Sequence, residues 1–326
     1  MKALVLTLAA CAMVPAVFAL PKTAKVENSY ISNQNNNVTN IATKGSKINS
    51  GISARGAQIK DSVITNENTD VKNTADDKSK INSGVSLNGA EVEGSQIKNT
   101  NRNVTNEAKG ESKINSGIDA DRAKIANSNI INDNTGVINK ASGKSEINSG
   151  ISLKDATVEN VEEMRNVNKN VNNTALNGSK INSGINADRA VIRDSKIRNV
   201  NENVTNYATN KSTINSGINL KDAKVENGSV LDNANTGKVV NIATNGSKVN
   251  SGIDAERAKL NNARIYNRNN NVINIATNKS RINSGVNVKG ATVTNSQIYN
   301  VNNKVTNEAH NGSKVNSGVD LGPMDN

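Results

Sequence analysis

Large apolar side chains are scarce in this chain. Aromatic residues make up 2% of its 326 residues, Trp is absent, and the single Phe is Phe18 near the N-terminus. A conventional globular core of Leu and aromatic side chains is therefore excluded. Two alternatives remain: a disordered chain, or a fold that gains its stability from repetition and backbone hydrogen bonding.

Cysteine, proline and histidine are equally rare. The only Pro residues beyond the apolar N-terminal segment are Pro21 and Pro323, so no Pro interrupts the sequence between them, as a continuous ladder of paired strands requires. One Cys and one His exclude zinc sites of the His/Cys type. A Ser-His-Asp triad would have to use His310, which we expect to be a surface variant. No calcium-loop motif is present, so we expect neither a metal ion nor a cofactor.

The N-terminal segment has the pattern of a secretory signal peptide. Lys2 precedes an apolar run that ends in Val17-Phe18-Ala19, which predicts a signal peptide of residues 1–19 with cleavage after Ala19. Two alternatives stay open. The run is barely long enough for a transmembrane helix, although it contains Pro15. Leu8-Ala9-Ala10-Cys11 has the form of a lipobox, which would make Cys11 a lipidated N-terminus. Cleavage after Ala19 leaves a mature chain without Cys, hence without disulfides or thiol chemistry.

Internal repetition dominates the rest of the chain. The segment Ile-Asn-Ser-Gly, with Val replacing Ile in two copies, recurs at spacings of 33 to 35 residues. This period predicts a single-domain repeat array over residues 20–321, followed by a short tail of residues 322–326. Its nine copies begin at Ile48, Ile81, Ile114, Ile147, Ile181, Ile214, Val249, Ile282 and Val315.

A second repeated segment reads Asn-x-Asn-x-x-Val-x-Asn-x-Ala, and its first copy runs from Asn33 to Ala42. A one-residue insertion interrupts it in one copy, from Asn233 to Ala243. Two of its columns keep one residue type throughout. The Val column is Val38, Val71, Val104, Val137, Val171, Val204, Val239, Val272 and Val305. The Asn column is Asn40, Asn73, Asn106, Asn139, Asn173, Asn206, Asn241, Asn274 and Asn307.

Apolar or small residues mostly alternate with polar ones along each repeat. A period of two predicts β-strands. Two-residue steps between apolar positions, as from Ala54 to Ala57, indicate corners. The expected fold is therefore all-β, a β-solenoid of about nine 33-residue repeats whose strands stack in parallel.

The Asn column needs a physical reason, because Asn40 shares its predicted face with Val38 and Ala42 and should point inward. A buried amide without a partner costs about 1–3 kcal/mol. Stacked Asn side chains remove this cost, since each donates to one neighbour and accepts from the other. Turn preference alone explains scattered Asn, but not a constant Asn on the Val face. We therefore predict an Asn ladder through all nine repeats.

Outer positions alternate in charge from one repeat to the next, as in Asp121, Lys154, Asp188, Lys221, Glu256 and Lys289. Charges about 4.8 Å apart interact by about 0.9 kcal/mol in water, and by half as much at twice that distance. Complementary neighbours therefore favour one repeat per rung over two. Duplication of a two-repeat block would produce the same pattern.

The formal net charge of +11 favours contact with anionic matrix polymers or surfaces. Acidic and basic residues are interspersed along the chain, which favours instead a solvated surface of mixed sign. The four Tyr residues form no continuous column, so no specific nucleic-acid site is expected. Insertions between repeats do not exceed two residues, which leaves nothing to enclose a substrate, and we expect no enzymatic activity.

The stretch Asn283-Ser284-Gly285-Val286-Asn287-Val288 resembles the Asn-x-Gly-Val-Asn-x pattern of Fap-type functional-amyloid subunits. The Asn columns resemble, more loosely, those of curli subunits. The chain lacks the C-terminal cysteine motif of Fap subunits. The resemblance implies an exported subunit of biofilm-associated fibres.

These features together predict a secreted or cell-surface structural protein that self-assembles end to end into β-rich, amyloid-like fibres of an extracellular matrix. Its partner is then another copy of itself, because no capping repeat is visible at either end of the array. The alternative is a monomeric β-solenoid, an adhesin or surface-layer protein that binds a ligand on its flat faces.

Overall fold

The computed structural model describes residues 24–321, together with two strands before them, Val5–Leu8 and Phe18–Ala19. No helix occurs in this part of the chain, so none there is long and apolar enough to cross a membrane. Each repeat makes one turn of a coil, and every strand pairs in parallel with the same position one repeat away. Asn73, for example, lies between Asn40 and Asn106. The predicted β-solenoid with one repeat per rung is therefore confirmed.

Four sheets run along the stack, and we number them in the order in which one coil visits them. Sheet 1 contains nine short strands. They are Lys25–Glu27, Gln58–Lys60, Glu91–Glu93, Lys124–Ala126, Thr157–Glu159, Val191–Arg193, Lys224–Glu226, Lys259–Asn261 and Thr292–Thr294.

Sheet 2 is the widest face of the coil and contains seventeen strands. They are Val5–Leu8, Tyr30–Asn36, Thr39–Ala42, Val63–Thr69, Lys72–Ala75, Gln96–Arg102, Thr105–Ala108, Asn129–Thr135, Ile138–Ala141, Met164–Lys169, Asn172–Ala175, Lys196–Glu202, Thr205–Ala208, Val230–Thr236, Val239–Ala243, Arg264–Ala276 and Gln297–Ala309.

Sheets 3 and 4 close the coil. Sheet 3 has nine strands: Lys47–Asn49, Lys80–Asn82, Lys113–Asn115, Glu146–Asn148, Lys180–Asn182, Thr213–Asn215, Lys248–Asn250, Arg281–Asn283 and Lys314–Asn316. Sheet 4 has ten: Phe18–Ala19, Ile52–Ser53, Val85–Ser86, Ile118–Asp119, Ile151–Ser152, Ile185–Asn186, Ile218–Asn219, Ile253–Asp254, Val286–Asn287 and Val319–Asp320.

Residues in the left-handed backbone region produce several of the bends. Asn37, Asp70 and Asn170, each with φ of 53°, lie between the two strands that one coil contributes to sheet 2. Asn and Asp tolerate this conformation better than other residues with a side chain. The corner between Ala54 and Ala57 is present as predicted, and its Ala57 N–H donates to the Ala54 carbonyl at 3.3 Å.

The glycine of each Ile-Asn-Ser-Gly segment lies where successive coils approach most closely. A Cβ atom added to Gly184 would collide with the carbonyl oxygen of Gly217 in the next coil. The same collision recurs along this column from Gly51 to Gly285. Backbone approach, rather than a positive φ, therefore requires glycine here.

The interior of the coil holds three apolar columns of side chains. The largest fills the space between sheets 1 and 4 and the beginning of sheet 2, and it includes Ile59, Ile64 and Leu87. A second joins the Ala42 column to the Ile81 column. The third is the predicted Val column, which is buried from Val71 to Val272. Small apolar side chains stacked on their own copies thus replace a conventional aromatic core.

The two N-terminal strands extend the first complete coil. Val5–Leu8 pairs with Tyr30–Asn33, and Phe18–Ala19 pairs with Ile52–Ser53. Signal cleavage after Ala19 stays a prediction, and such cleavage would remove both strands. The lipobox residue Cys11 and the tail 322–326 lie outside the described residues.

Candidate functional site

The predicted Asn ladder runs through the interior of the stack. The Asn173 side chain is fully buried. Its Nδ2 donates to Asn206 Oδ1 at 2.8 Å, and its Oδ1 accepts from Asn139 Nδ2 at 2.8 Å. The same bond links each consecutive pair from Asn40 to Asn307, at 2.8 to 2.9 Å. Each amide in the middle of the array therefore satisfies its neighbours on both sides.

Two further ladders, which the alternation in the sequence does not predict, begin at Asn33 and Asn35. In the middle of the array, Asn166 donates to Asn199 at 2.8 Å and Asn168 donates to Asn201 at 2.9 Å. Strict alternation counted back from Asn40 would place Asn33 and Asn35 on the outer face. The left-handed residue Asn37 shifts the alternation by one residue and turns both side chains inward. Asn occurs at both positions in every copy of the Asn-x-Asn segment, and this constancy is the sequence feature that could have predicted the two ladders.

All three ladders meet at the serine of the Ile-Asn-Ser-Gly segment. Asn166 and Asn168 donate to the carbonyl oxygen of Ser183 at 2.7 and 2.8 Å, and Asn173 donates to its hydroxyl at 2.8 Å. The amides thus bridge the interior from sheet 2 to the corner between sheets 3 and 4. This bridge explains why the two repeated segments occur together in each repeat.

The ladders have a direction, so the two ends of the stack differ. In all three, Nδ2 points towards the C-terminal end and Oδ1 towards the N-terminal end. In the last described coil, the outermost amides donate only to Ser317, and they belong to Asn300, Asn302 and Asn307. In the first coil, no described residue donates to the side-chain oxygens of Asn33, Asn35 and Asn40. For these three ladders, the C-terminal end therefore offers donors and the N-terminal end acceptors, in the same lateral arrangement. The half-buried ladder from Asn49 to Asn316 runs in the opposite direction.

In the alternating column predicted for the outer surface, Lys221 and Glu256 form an ion pair between coils at 2.8 Å. The neighbouring column, which reads Arg122, Asp155, Arg189, Asp222 and Arg257, also alternates in charge. Arg189 makes two hydrogen bonds to Asp155, at 2.7 and 2.9 Å, and Arg257 makes two to Asp222, at 2.8 and 2.7 Å. The hydrogen bond from Arg189 lowers the pKa of Asp155. The two Arg–Asp pairs are exposed, so each contributes little stability.

Sheet 3 departs from this alternation. Its first outward column reads Lys47, Lys80, Lys113, Glu146, Lys180, Thr213, Lys248, Arg281 and Lys314. Like charges on adjacent rungs repel by about 0.9 kcal/mol in water. Glu146 relieves this locally through a 2.8 Å contact with Lys113. Burial raises the pKa of Glu146, but the hydrogen bond and charge of Lys113 outweigh it and bring the pKa below its usual value.

In the C-terminal half of this corner, Lys180 still lies 4.0 Å from Glu146, but no acidic residue follows at this corner in the later coils. Its segments 176–182, 209–215, 244–250, 277–283 and 310–316 contain no Asp or Glu. We call their cations the basic stripe, which consists of Lys180, Lys211, Lys248, Lys279, Arg281 and Lys314. A surface of mixed sign, favoured by the interspersed sequence, is therefore wrong for this corner. Residues 33 to 35 apart in sequence are neighbours in the stack.

Two carboxylates on sheet 4 have a raised pKa. Burial raises the pKa of Asp254. Burial, together with the charge of Asp121, raises the pKa of Asp119 from 3.8 to about 6. Asn88 donates a hydrogen bond to it at 2.9 Å, which opposes this shift only in part. Neighbouring coils carry Ser at this position, so Asp119 is a local source of pH-dependent stability.

The outer face of sheet 2 has a shallow depression near its C-terminal end. Tyr266 and Tyr299 stack beside it, with ring centroids 5.0 Å apart. Its floor includes Val200, Ala234 and Val301. This is the most distinctive feature of the flat faces.

Residues of catalytic or metal-binding type are dispersed. The described part of the chain has no group of three or more His, Cys, Asp or Glu side chains placed to hold a metal ion. His310 is exposed in the last coil, beside the basic stripe.

Comparison with known proteins gives no family for this chain. No family model matches it, and no curated protein matches it. The solved structures to which the chain is similar include two repeat or surface proteins. One is HetL, a pentapeptide repeat protein from the cyanobacterium Nostoc sp. strain PCC 7120, with 13% identity, 71% of this chain and 85% of that chain covered, and a TM-score of 0.19. The other is the surface protein and adhesin PfbA of Streptococcus pneumoniae, with 11% identity, 86% and 91% covered, and a TM-score of 0.15.

Proposed function

We propose that this chain is an exported structural protein that polymerises end to end into extracellular β-rich fibres. The opposite polarity of the two ladder ends is the observation that supports this function. The donors of Asn300, Asn302 and Asn307 match the acceptors of the first coil in chemistry and in lateral arrangement. Unpaired strand edges add backbone donors and acceptors to the same junction.

A junction between two copies would repeat the contacts inside one copy. Asn300 of one chain would donate to Asn33 of the next, as Asn267 donates to Asn300 at 2.7 Å. Backbone pairing would continue across the junction in the same parallel register. The stack would then grow by about 43 Å for each nine-coil subunit.

Processing at the predicted signal site would control this assembly. In the full chain, Val5–Leu8 pairs with Tyr30–Asn33, which are the residues that the incoming copy must contact. Cleavage after Ala19 would remove both N-terminal strands and uncover the first coil. We therefore place assembly after export, in an extracellular or cell-surface matrix. The residues act through ladders, and we assign no catalytic role to any of them.

Gly318 allows a test of the junction that leaves the single chain intact. A Cβ atom added to Gly285 would collide with the Gly318 carbonyl oxygen, but one added to Gly318 meets no atom closer than 3.9 Å. In a fibre, the coil of the next copy would occupy that space. Gly318→Ala should therefore fold normally and fail to polymerise, whereas Glu308→Ala, on the outer face of the same coil, should polymerise normally.

The experiment compares the exported, processed protein with both variants by electron microscopy and seeded growth kinetics. Circular dichroism and thermal unfolding verify that each variant folds. We expect unbranched fibres with a reflection near 4.8 Å from the unsubstituted protein and from Glu308→Ala. Normal fibre growth by Gly318→Ala, or a processed protein that remains monomeric with seeds present, would refute end-to-end stacking.

A second candidate function is a monomeric adhesin or surface-layer protein. The stacked Tyr266–Tyr299 pair beside the depression on sheet 2 favours this alternative, because paired aromatic rings on a flat face are suited to contact a ligand. Under this alternative, the processed protein stays monomeric and binds its ligand saturably. Tyr266→Ala and Tyr299→Ala would abolish that binding.

A further inference from the structure

We propose that the basic stripe binds a linear acidic polysaccharide along the axis of the stack. The stripe spans five consecutive coils, over a length of about 19 Å at the usual strand spacing. Each coil contributes at least one Lys or Arg to it. A polymer with regularly spaced carboxylates, laid along the axis, would contact one cation after another.

The unusual feature of the stripe is that its charges repel one another. At the corner between sheets 4 and 1, the same chain alternates Arg with Asp and forms the pairs Arg189–Asp155 and Arg257–Asp222. Lys248 and Arg281, by contrast, are adjacent in the register of sheet 3 and make no salt bridge with any described residue. An anionic ligand would neutralise the adjacent like charges of Lys248 and Arg281.

Backbone conformation supplies a second observation. Lys211 and Lys279 lie in the left-handed region, with φ of 62° and 58°, at the position where the intervening coils carry Gly178, Gly246 and Gly312. Glycine adopts this conformation without cost, whereas Lys does not. These two Lys residues, whose backbone is strained, add cations to the stripe. Lys211 does so in the coil where Thr213 replaces the cation of sheet 3. The chain thus keeps a positively charged residue at two positions where the backbone conformation disfavours Lys.

Amide ladders flank the stripe on both sides. On one side, an exposed ladder of Asn177, Asn210, Asn245, Asn278 and Asn311 has contacts of 2.9 to 3.0 Å. On the other side, Asn182, Asn215, Asn250, Asn283 and Asn316 form a half-buried ladder with contacts of 2.9 Å. In the exposed ladder, each donating Nδ2 makes one hydrogen bond to a described residue, so its second N–H remains available.

The combination of a row of cations with exposed side-chain amides favours a sugar polymer over a nucleic acid as the ligand. Exposed amides hydrogen-bond to hydroxyl groups, which alternate with carboxylates along a polyuronate chain. Binding of single-stranded nucleic acid usually requires aromatic side chains on which bases stack. The Tyr side chains of the described chain lie in sheet 2, outside the stripe. The stripe is on the side of the stack, so this inference does not depend on end-to-end assembly.

The test measures binding of polygalacturonate to the full processed chain by isothermal titration calorimetry at several salt concentrations. Neutral dextran and single-stranded DNA of matched charge are the comparison polymers. The stripe variant combines Lys180→Gln, Lys248→Gln and Arg281→Gln. The control variant removes the same charge from exposed positions on sheets 1 and 2, and combines Lys196→Gln, Lys224→Gln and Lys259→Gln.

We expect the stripe variant to bind polygalacturonate at least about tenfold more weakly, because it loses three cations in direct contact with the polymer. The affinity of the control variant should fall by less than about twofold, because salt screens charges that lie far from the polymer. Dextran should not bind. Equal losses in the two variants would show that net charge alone attracts the polymer, and would overturn the proposal. DNA binding as tight as that of polygalacturonate would also overturn it.

The amides are tested separately. Asn210→Gly combined with Asn245→Gly keeps residues that accept a positive φ and leaves the charge unchanged. We expect this variant to bind polygalacturonate several-fold more weakly with the same dependence on salt. Unchanged affinity would refute recognition of hydroxyl groups by the exposed ladder. Thermal unfolding of each variant establishes that the fold is retained.

Discussion

The substitution Asn173→Leu tests the physical basis of the fold most directly. Leu has nearly the shape of Asn but can neither donate nor accept a hydrogen bond. In the middle of the stack, the change removes the bonds of Asn173 to Asn206, Asn139 and Ser183. It leaves a buried N–H group, a buried carbonyl oxygen and a buried hydroxyl without these partners.

The expected cost follows from those three groups. A buried polar group left without a partner costs about 1–3 kcal/mol, so the loss of three partners in Asn173→Leu should destabilise the protein by about 3–9 kcal/mol. The matched control is Asn172→Leu, one residue earlier in the same strand, where the side chain is exposed. A surface substitution of this kind changes stability by less than about 0.5 kcal/mol.

Guanidinium unfolding followed by circular dichroism measures the difference between the two variants. A stacked array can open in parts, so hydrogen exchange read by mass spectrometry should accompany it. Protection should fall in the coils that contain Asn139 and Asn206 and be retained at the distant ends. Equal destabilisation by Asn173→Leu and Asn172→Leu would refute the assignment of the ladder to the buried face.

Three further predictions concern other contacts between coils. Gly184→Ala should destabilise the stack by at least about 3 kcal/mol in thermal unfolding, because its Cβ collides with backbone; a loss below about 1 kcal/mol would show that the coils can separate locally. The raised pKa of Asp119 means that the folded state binds its proton more tightly, so the stabilisation is present below pH 3.8 and is lost as the pH rises through about 6. Asp119→Ser should therefore remove a loss of stability of about 3 kcal/mol between pH 4 and 6 and flatten the pH profile there, and an unchanged profile would contradict this. A double-mutant cycle of Arg189 and Asp155 should give a coupling energy below about 1 kcal/mol, because both side chains are exposed; a larger value would mean that their geometry matters more than their exposure.

The sequence by itself determined the architecture. A constant spacing between identical segments allows the copies to stack in register, and alternation of apolar and polar residues makes each segment a strand. Alternating charge between repeats favoured one rung per repeat over two, because the interaction halves when the distance doubles. The register of the stacked strands decided between them. The buried side of Asn40 followed from its even spacing from Val38 and Ala42.

Only the tertiary structure decided the positions that depend on a bend. Asn33 and Asn35 lie inside the coil because the left-handed Asn37 shifts the alternation of inward and outward side chains by one residue. Counting every second residue along the sequence cannot reveal a change in one backbone angle. The role of Ser50 as the meeting point of three ladders depends on the width of the coil, which brings residues 10 to 17 positions apart into hydrogen-bonding distance.

The surface charge was decided in the same way. Along the chain, Lys248 and Arg281 are separated by two acidic residues, Asp254 and Glu256, and the sequence has a mixed sign. In the stack, they are neighbours on one column, and the acids lie on other faces. The repeat period determines which residues meet, whereas the corners determine which face they share. A continuous basic stripe therefore exists only in the folded coil.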